Sequence, residues 1–166
     1  MSTSNTNSAI SFPSACLSSR EADPFAARHH KSLPEALRNE SAGMNWSSFE
    51  HTYAPANGSF RLGRWSETKC GSGISDFEAT LGIGESIRNL GARACGPVAA
   101  MTSMLHDVGC SIEILSFHQH EIGHRVATFL LCECGGTRLW AMGIDESCTG
   151  STLRAMISGA NRFQSD

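Results

Sequence analysis

A pattern of three strand-like stretches followed by one helix occurs twice between residues 59 and 166, and no other feature restricts the fold as strongly. In the first copy Phe60 and Leu62 open a strand. Phe77, Ala79, Leu81 and Ile83 then alternate with Asp76, Glu78, Thr80 and Gly82, the period of two of a half-buried strand. Gly84-Glu85 suits a tight turn, and residues 86–94 return antiparallel. Pro97 fits the first turn of a helix, where an N–H would be unpaired in any case. Val98, Met101, Leu105 and Val108 make one apolar stripe, and Gly109 supplies the stop. In the second copy residues 111–119, 124–134 and 137–143 read as strands, with Gly135-Gly136 as the turn between the last two. Ser147 is the N-cap of a helix over 148–162 whose buried stripe is Leu153, Met156, Ile157 and Ala160.

Three antiparallel strands and one helix enclose only a small core, so the two copies are expected to pack together. The predicted fold is α+β: a tandem βββα repeat, antiparallel sheets with helices on one side. Along 124–134, Phe129 and Leu131 share one face while Val126, Thr128, Leu130 and Cys132 share the other, so neither face is wholly polar. Sheet surface left uncovered by the helices must meet water, the N-terminal arm or a second chain, and a homodimer is expected on this ground. Residues 1–58 form that arm, separate from the repeat domain at 59–166. Residues 1–10 are polar and of low complexity and predict disorder, 34–39 a short helix, and 42–58 are broken by Gly and Pro. Trp46, Phe49 and Tyr53 are its rings available for docking.

Composition removes several classes of function. Thirteen Lys+Arg against sixteen Asp+Glu leave a net charge of -3, which offers no basic footprint to nucleic acid and no polybasic membrane patch. No apolar run reaches the roughly 18 residues of a spanning helix, and the first residues lack a signal-peptide pattern, so the expected location is cytoplasmic. Seven cysteines, an odd number without a Cys-x-x-Cys pair, favour neither a disulfide framework nor a zinc ribbon, and most are expected to be buried thiols. Neither G-x-G-x-x-G nor a P-loop is present, and no cofactor is expected.

Two places carry chemistry. The strand-to-helix junctions, 91–98 and 143–150, place small residues before a helix start. Unpaired backbone N–H groups there can approach a carboxylate or phosphate, although glycine before a helix is also ordinary turn chemistry. Cys95 or Cys148 at such a start could be an activated nucleophile, but no triad order supports this, and a buried or capping cysteine explains them as well. The second place is the cluster His118, His120 and His124. Three imidazoles suggest a metal, yet no fourth ligand is well placed unless Glu121 bends inward, so no metal is expected. His120 is also a candidate acid or base, its ordinary pKa lying near neutrality.

The stretch from Phe77 to Phe163 resembles the C-terminal regulatory domain of α-isopropylmalate synthase, also found in citramalate synthase. FEATLGIGESIRNLGARACGPVAAMTSML matches that family's strand, turn, strand and Gly-Pro-x-x-Ala helix start. TRLWAMGIDESCTGSTLRAMISGANR matches its closing strand, Gly-Ile junction and final helix ending in Asn-Arg, and IEILSFHQH resembles the strand between. The resemblance implies a βββα repeat that pairs with a second copy and binds a branched-chain amino acid near the dimer interface, inhibiting a separate barrel domain. It places ligand-binding positions at Gly96, Pro97, Val98 and Ala99 and at Gly143, Ile144 and Asp145, with Asp145 able to meet an ammonium group. His120 matches a histidine of some members. The family often carries an acidic residue where this chain has Ala99, and often Asp-Tyr where it has Ser116-Phe117.

No catalytic barrel is written in this sequence, so three functions follow from the resemblance. The first is a stand-alone regulatory domain for a branched-chain amino acid or similar small carboxylate, acting as a sensor or as a subunit on a separate synthase. The alternative is a small biosynthetic enzyme that reuses the pocket, with His120, Asp145, Cys95 or Glu121 moving protons. Whether the chain is an enzyme is therefore left open at this level. The third is a structural adaptor that has lost its ligand, a reading that the alanine at position 99 favours.

Overall fold

The computed structural model describes residues 23–164; the polar start at 1–10 and Cys16 lie outside the described residues. Two three-stranded antiparallel sheets form, each closed by a helix, and the fold is α+β. The first unit is β1 (Phe60–Gly71), β2 (Ile74–Ile83), β3 (Ser86–Ala94) and the helix Pro97–Asp107. The second is β4 (Glu113–Ile122), β5 (Arg125–Cys134), β6 (Thr137–Asp145) and the helix Cys148–Phe163. Ahead of both lie α1 (Pro24–His29), α2 (Glu35–Glu40) and α3 (Trp46–Tyr53), so the two repeat helices are α4 and α5.

Each repeat helix covers one face of its own sheet, and the two units share a core. Phe77, Ala79 and Leu81 of β2 meet Met101, Met104 and Leu105 of α4. Leu130, Cys132 and Leu139 of the second sheet, with Leu153, Met156 and Ile157 of α5, belong to the same cluster. Burial of these side chains is the main drive to pack, each large one contributing about 1.5–3 kcal/mol before conformational entropy is subtracted. The edge strand of the second sheet begins at Glu113 and runs on to Ile122, later at both ends than the expected 111–119, which places His120 and Glu121 in the ladder opposite Ala127 and Val126. Likewise β6 continues to Asp145, paired with Val126.

Counting back from the two hairpin closures, Ile83 with Ser86 and Cys134 with Thr137, shows which positions correspond. Phe77 stands where Thr128 stands, Ala92 where Gly143 stands, Ala100 where Ser151 stands and Met101 where Thr152 stands. The first unit fills this layer with carbon; the second fills it with hydroxyls. All of Phe77, Ala100, Met101, Thr128, Ser151 and Thr152 are buried.

The opposite face of the second sheet is covered by the arm. The short helix expected at 34–39 is α2, and α1 and α3 flank it. Asp23 caps α1 through the Phe25 and Ala26 N–H groups and also accepts from Leu33, so one carboxylate ties the start of the arm to its first return. Phe25, Leu37, Phe49 and Tyr53 are fully buried against Ala127, Phe129, Trp140 and Met142. Phe25 meets the Phe129 ring edge-on at 5.0 Å. The second apolar face of β5, which called for the arm or another chain, is thus occupied by residues 24–53 of the same chain. The start of β1 in the first sheet is tied to the second unit by Asn161 of α5, whose amide accepts from the Phe60 N–H at 2.7 Å and donates to the Phe60 carbonyl at 2.9 Å.

Candidate functional site

The two helix starts differ although their folds correspond. At the second, the Ser147 hydroxyl accepts from the Gly150 N–H at 2.9 Å and caps α5. Asp145 accepts from the Ser147 N–H and, through its other oxygen, from Arg154 nearly two turns into the helix. Partial burial works against the charge on Asp145. The Arg154 hydrogen bond outweighs it, with help from the Ser147 and Glu146 N–H groups, and holds the carboxyl below its ordinary pKa. Gly150 is small because any Cβ would overlap the Asp145 and Ser147 side chains. This junction is filled by its own residues.

Gly143 serves packing. A Cβ there would overlap the Ser151 carbonyl oxygen and the Ala155 nitrogen, so its absence lets α5 lie directly on β6. Ala92, at the corresponding position of β3, shows that α4 sits farther from its sheet. Ile144 points to the other side, towards the cluster made by the arm.

The first helix start is open. Gly96 caps α4 without any side-chain hydrogen bond, and a Cβ on it would meet nothing within 4 Å. Its φ of -175° is extended backbone that any residue adopts. Pro97 has no N–H, which leaves the amides of Val98 and Ala99 at the positive end of the helix dipole, with Ala99 exposed. Cys95 beside them is exposed as well.

The catalytic candidates are not brought together. Adjacent strand residues face opposite ways, so His120 and Glu121 lie on opposite faces of the second sheet, with Asp145 in the Glu121 row. His120 is engaged by the arm: its Nε2 lies 3.0 Å from the Ser32 carbonyl, and its ring stacks 6.1 Å from Phe25. His118 bonds to Ser116 and packs on Trp140, while His124 is exposed in the hairpin turn. Among the described residues no group of three His, Cys, Asp or Glu is arranged to hold a metal ion. Cys95 belongs to the other repeat, and Cys148 is exposed at the start of α5.

Two features beside these junctions were not read from the sequence. Under the first turn of α5, the Gln119 Nε2 lies 2.9 Å from the Thr128 hydroxyl, 3.0 Å from the Cys148 carbonyl and 3.1 Å from the Thr152 hydroxyl. Thr128 and Ser151 share a 2.7 Å bond, so each buried hydroxyl is satisfied. Hydroxyl residues inside otherwise apolar stripes, at 128, 151 and 152, were the available signal. The other feature is a cleft of about 300 Å³ between the end of α3, the start of β1, the end of β6 and α5, into which Gly143, Ile144 and Arg125 open. It depends on contacts across the whole chain, so no local motif announces it.

No protein-family profile matches the chain. Alignment gives 31% identity over 134 residues with the 2-isopropylmalate synthase of Renibacterium salmoninarum, covering 74% of this chain and 23% of that enzyme. The chain is related to the C-terminal regulatory domain of 2-isopropylmalate synthase. The synthase of Clavibacter michiganensis is 31% identical over 164 residues, 82% of this chain and 28% of its own length. That of Arthrobacter sp. is 31% identical over 133 residues. The chain therefore spans about a quarter of the length of the synthases it matches, a share that suits one regulatory domain and supports a regulatory role in general terms. No helix among the described residues is long and apolar enough to cross a membrane.

Proposed function

We propose that this chain is a ligand-binding regulatory domain that takes a branched-chain amino acid or similar small carboxylate at the start of α4. The observation that carries the reading is the difference between the two junctions. At α5 the free N–H groups and nearby space are taken by Ser147, Asp145 and Arg154, whereas at α4 Gly96 leaves them open. A carboxylate there would satisfy backbone donors and meet the helix dipole. Binding rather than turnover is favoured because His120 is committed to Ser32 and Phe25, and Asp145 to Arg154. Pairing with a second copy and action on a separate synthase subunit are parts of the same proposal.

The test is calorimetric titration of the full chain with leucine, isoleucine, valine and their 2-oxo and 2-hydroxy acids. One of them should bind saturably and be recovered unchanged. Ala99→Glu, which sets a carboxylate at the α4 start while suiting the first turn of a helix, should weaken binding at least tenfold. Absence of heat with every compound, or turnover of any of them, overturns the reading.

A further inference from the structure

The cleft beneath the arm differs in chemistry from the start of α4. Three guanidinium groups reach it from three separate segments: Arg61 from β1, Arg125 from the first position of β5, and Arg154 from α5. Arg154 is paired with Asp145, and Arg61 donates to the neutral carbonyl of Gly84. Arg125 forms no hydrogen bond or ion pair among the described residues, yet its charge is felt as far as His29 in the arm. Among the described residues Glu50 is the only acid in the lining, so positive charge is in excess within the cleft even after Asp145 is counted against Arg154; Glu146 stands outside it, in the adjoining groove. Like charges converging on one concavity repel unless an anion joins them, and focusing in a cleft strengthens their call on one.

The remaining wall is mixed, with Leu62, Ile144 and Ile157 among its apolar side chains and Ser158 and Asn161 among its polar ones. The volume lies at the small end of ligand sites, which run from about 300 to 1,000 Å³. A shallower groove adjoins it and shares Arg125, Ile144 and Arg154.

We infer that this cleft is a second binding site, for a small branched aliphatic carboxylate that carries no ammonium group. The carboxylate sits on Arg125, charge-assisted hydrogen bonds being stronger than neutral ones, and the alkyl group lies against the half-buried Leu62 and Ile144. An ammonium group would enter an already cationic site. Because Glu50 and Ala54, at the end of α3 and just beyond it, form one wall, an occupant bridges the arm to α5 and holds α3 in place.

The probe is 3-methylbutanoate, titrated into the full chain and into Arg125→Gln, Arg125→Lys and Ala99→Glu, with far-UV circular dichroism confirming that each variant is folded. Binding should fall at least tenfold in Arg125→Gln, recover in part in Arg125→Lys and be unchanged in Ala99→Glu. Amide hydrogen exchange in residues 46–53 should slow on binding. Loss of binding in Ala99→Glu with none in Arg125→Gln assigns the carboxylate to the α4 start, overturning the cleft while sparing the function proposed above. Indifference of leucine binding to Ala99→Glu, alongside an Arg125-dependent 3-methylbutanoate site, does the reverse. No binding of 3-methylbutanoate, unchanged exchange in α3, or equally tight leucine binding in the cleft each overturns the inference.

Discussion

Asn161, near the end of α5, holds both backbone polar groups of Phe60 with its single side-chain amide, the N–H at 2.7 Å and the carbonyl at 2.9 Å. Both residues are buried, and 101 positions separate them. The contact therefore staples the first strand of one unit to the last helix of the other. Gly58 passes so close that any Cβ would overlap the same amide.

Replacing Asn161 by Ala strands the Phe60 donor and acceptor away from water, and each unsatisfied group costs about 1–3 kcal/mol. A loss of about 2–4 kcal/mol is expected in urea unfolding. A change within experimental error would show that water or a backbone shift takes over both bonds.

Glycines 143 and 96 should respond in opposite ways. Gly143→Ala drives a methyl into the backbone of α5 and should cost about 3 kcal/mol or more, overpacking of a rigid contact being at the upper end of such effects. Gly96→Ala meets open space at an extended φ and should lie within about 0.5 kcal/mol of the parent. Thermal melts of the two variants, run side by side, decide it.

Acid should loosen the arm. Burial lowers the pKa of His29 first of all, and the charges of Arg28, Arg125 and His30 add to this. Its Nε2 is buried and finds no hydrogen-bond partner among the described residues, and its ring packs 5.1 Å from Trp46. With a depressed pKa in the folded state, the unfolded state binds the proton more readily. The His29 contribution is then complete above about pH 6.5 and is lost as pH falls towards the folded value. Trp46 fluorescence should change over that interval, and His29→Phe should flatten the response; an unaltered response in His29→Phe would assign it to another group.

Thiol reactivity should divide the cysteines by place. Cys70, Cys95 and Cys148 are exposed and should react promptly with a disulfide reagent in the native protein. Burial pushes the Cys110 thiol up to about 11 and Cys132 to about 12, so both should react only on unfolding. Mass spectrometry of peptides labelled before and after denaturation separates the two groups.

The repeat was legible in the sequence because each of its elements has a local cause. Alternation at 76–83 marks β2, Gly135-Gly136 closes a hairpin, and Pro97 and Gly109 bracket α4 closely. The arm was legible only as one short helix and three rings. Helices of six to eight residues are too brief for periodicity to declare them, and they gain their stability from Phe129 and Trp140, some hundred residues away. Small residues near helix starts marked the two junctions, and the candidate ligand positions within them came from the family resemblance. Sequence could not distinguish Gly96, which leaves space, from Gly143, which is required by a helix that reaches it only in three dimensions. Strand parity put His118 and His120 on a common face, but the identity of Phe25 and Ser32 as neighbours of His120 depended on where the arm docks.

Carbon in the buried layer of one unit and hydroxyls in that of the other make the halves non-interchangeable parts. A hybrid carrying two copies of the second half would set Thr128, Ser151 and Thr152 where Phe77, Ala100 and Met101 now seal the layer, and a hybrid of two first halves would lose the hydrogen-bonded layer of Gln119, Thr128, Ser151 and Thr152 altogether. The two layers are held by different forces, van der Waals packing in the first unit and hydrogen bonds in the second, so exchanging one for the other changes what keeps that half together.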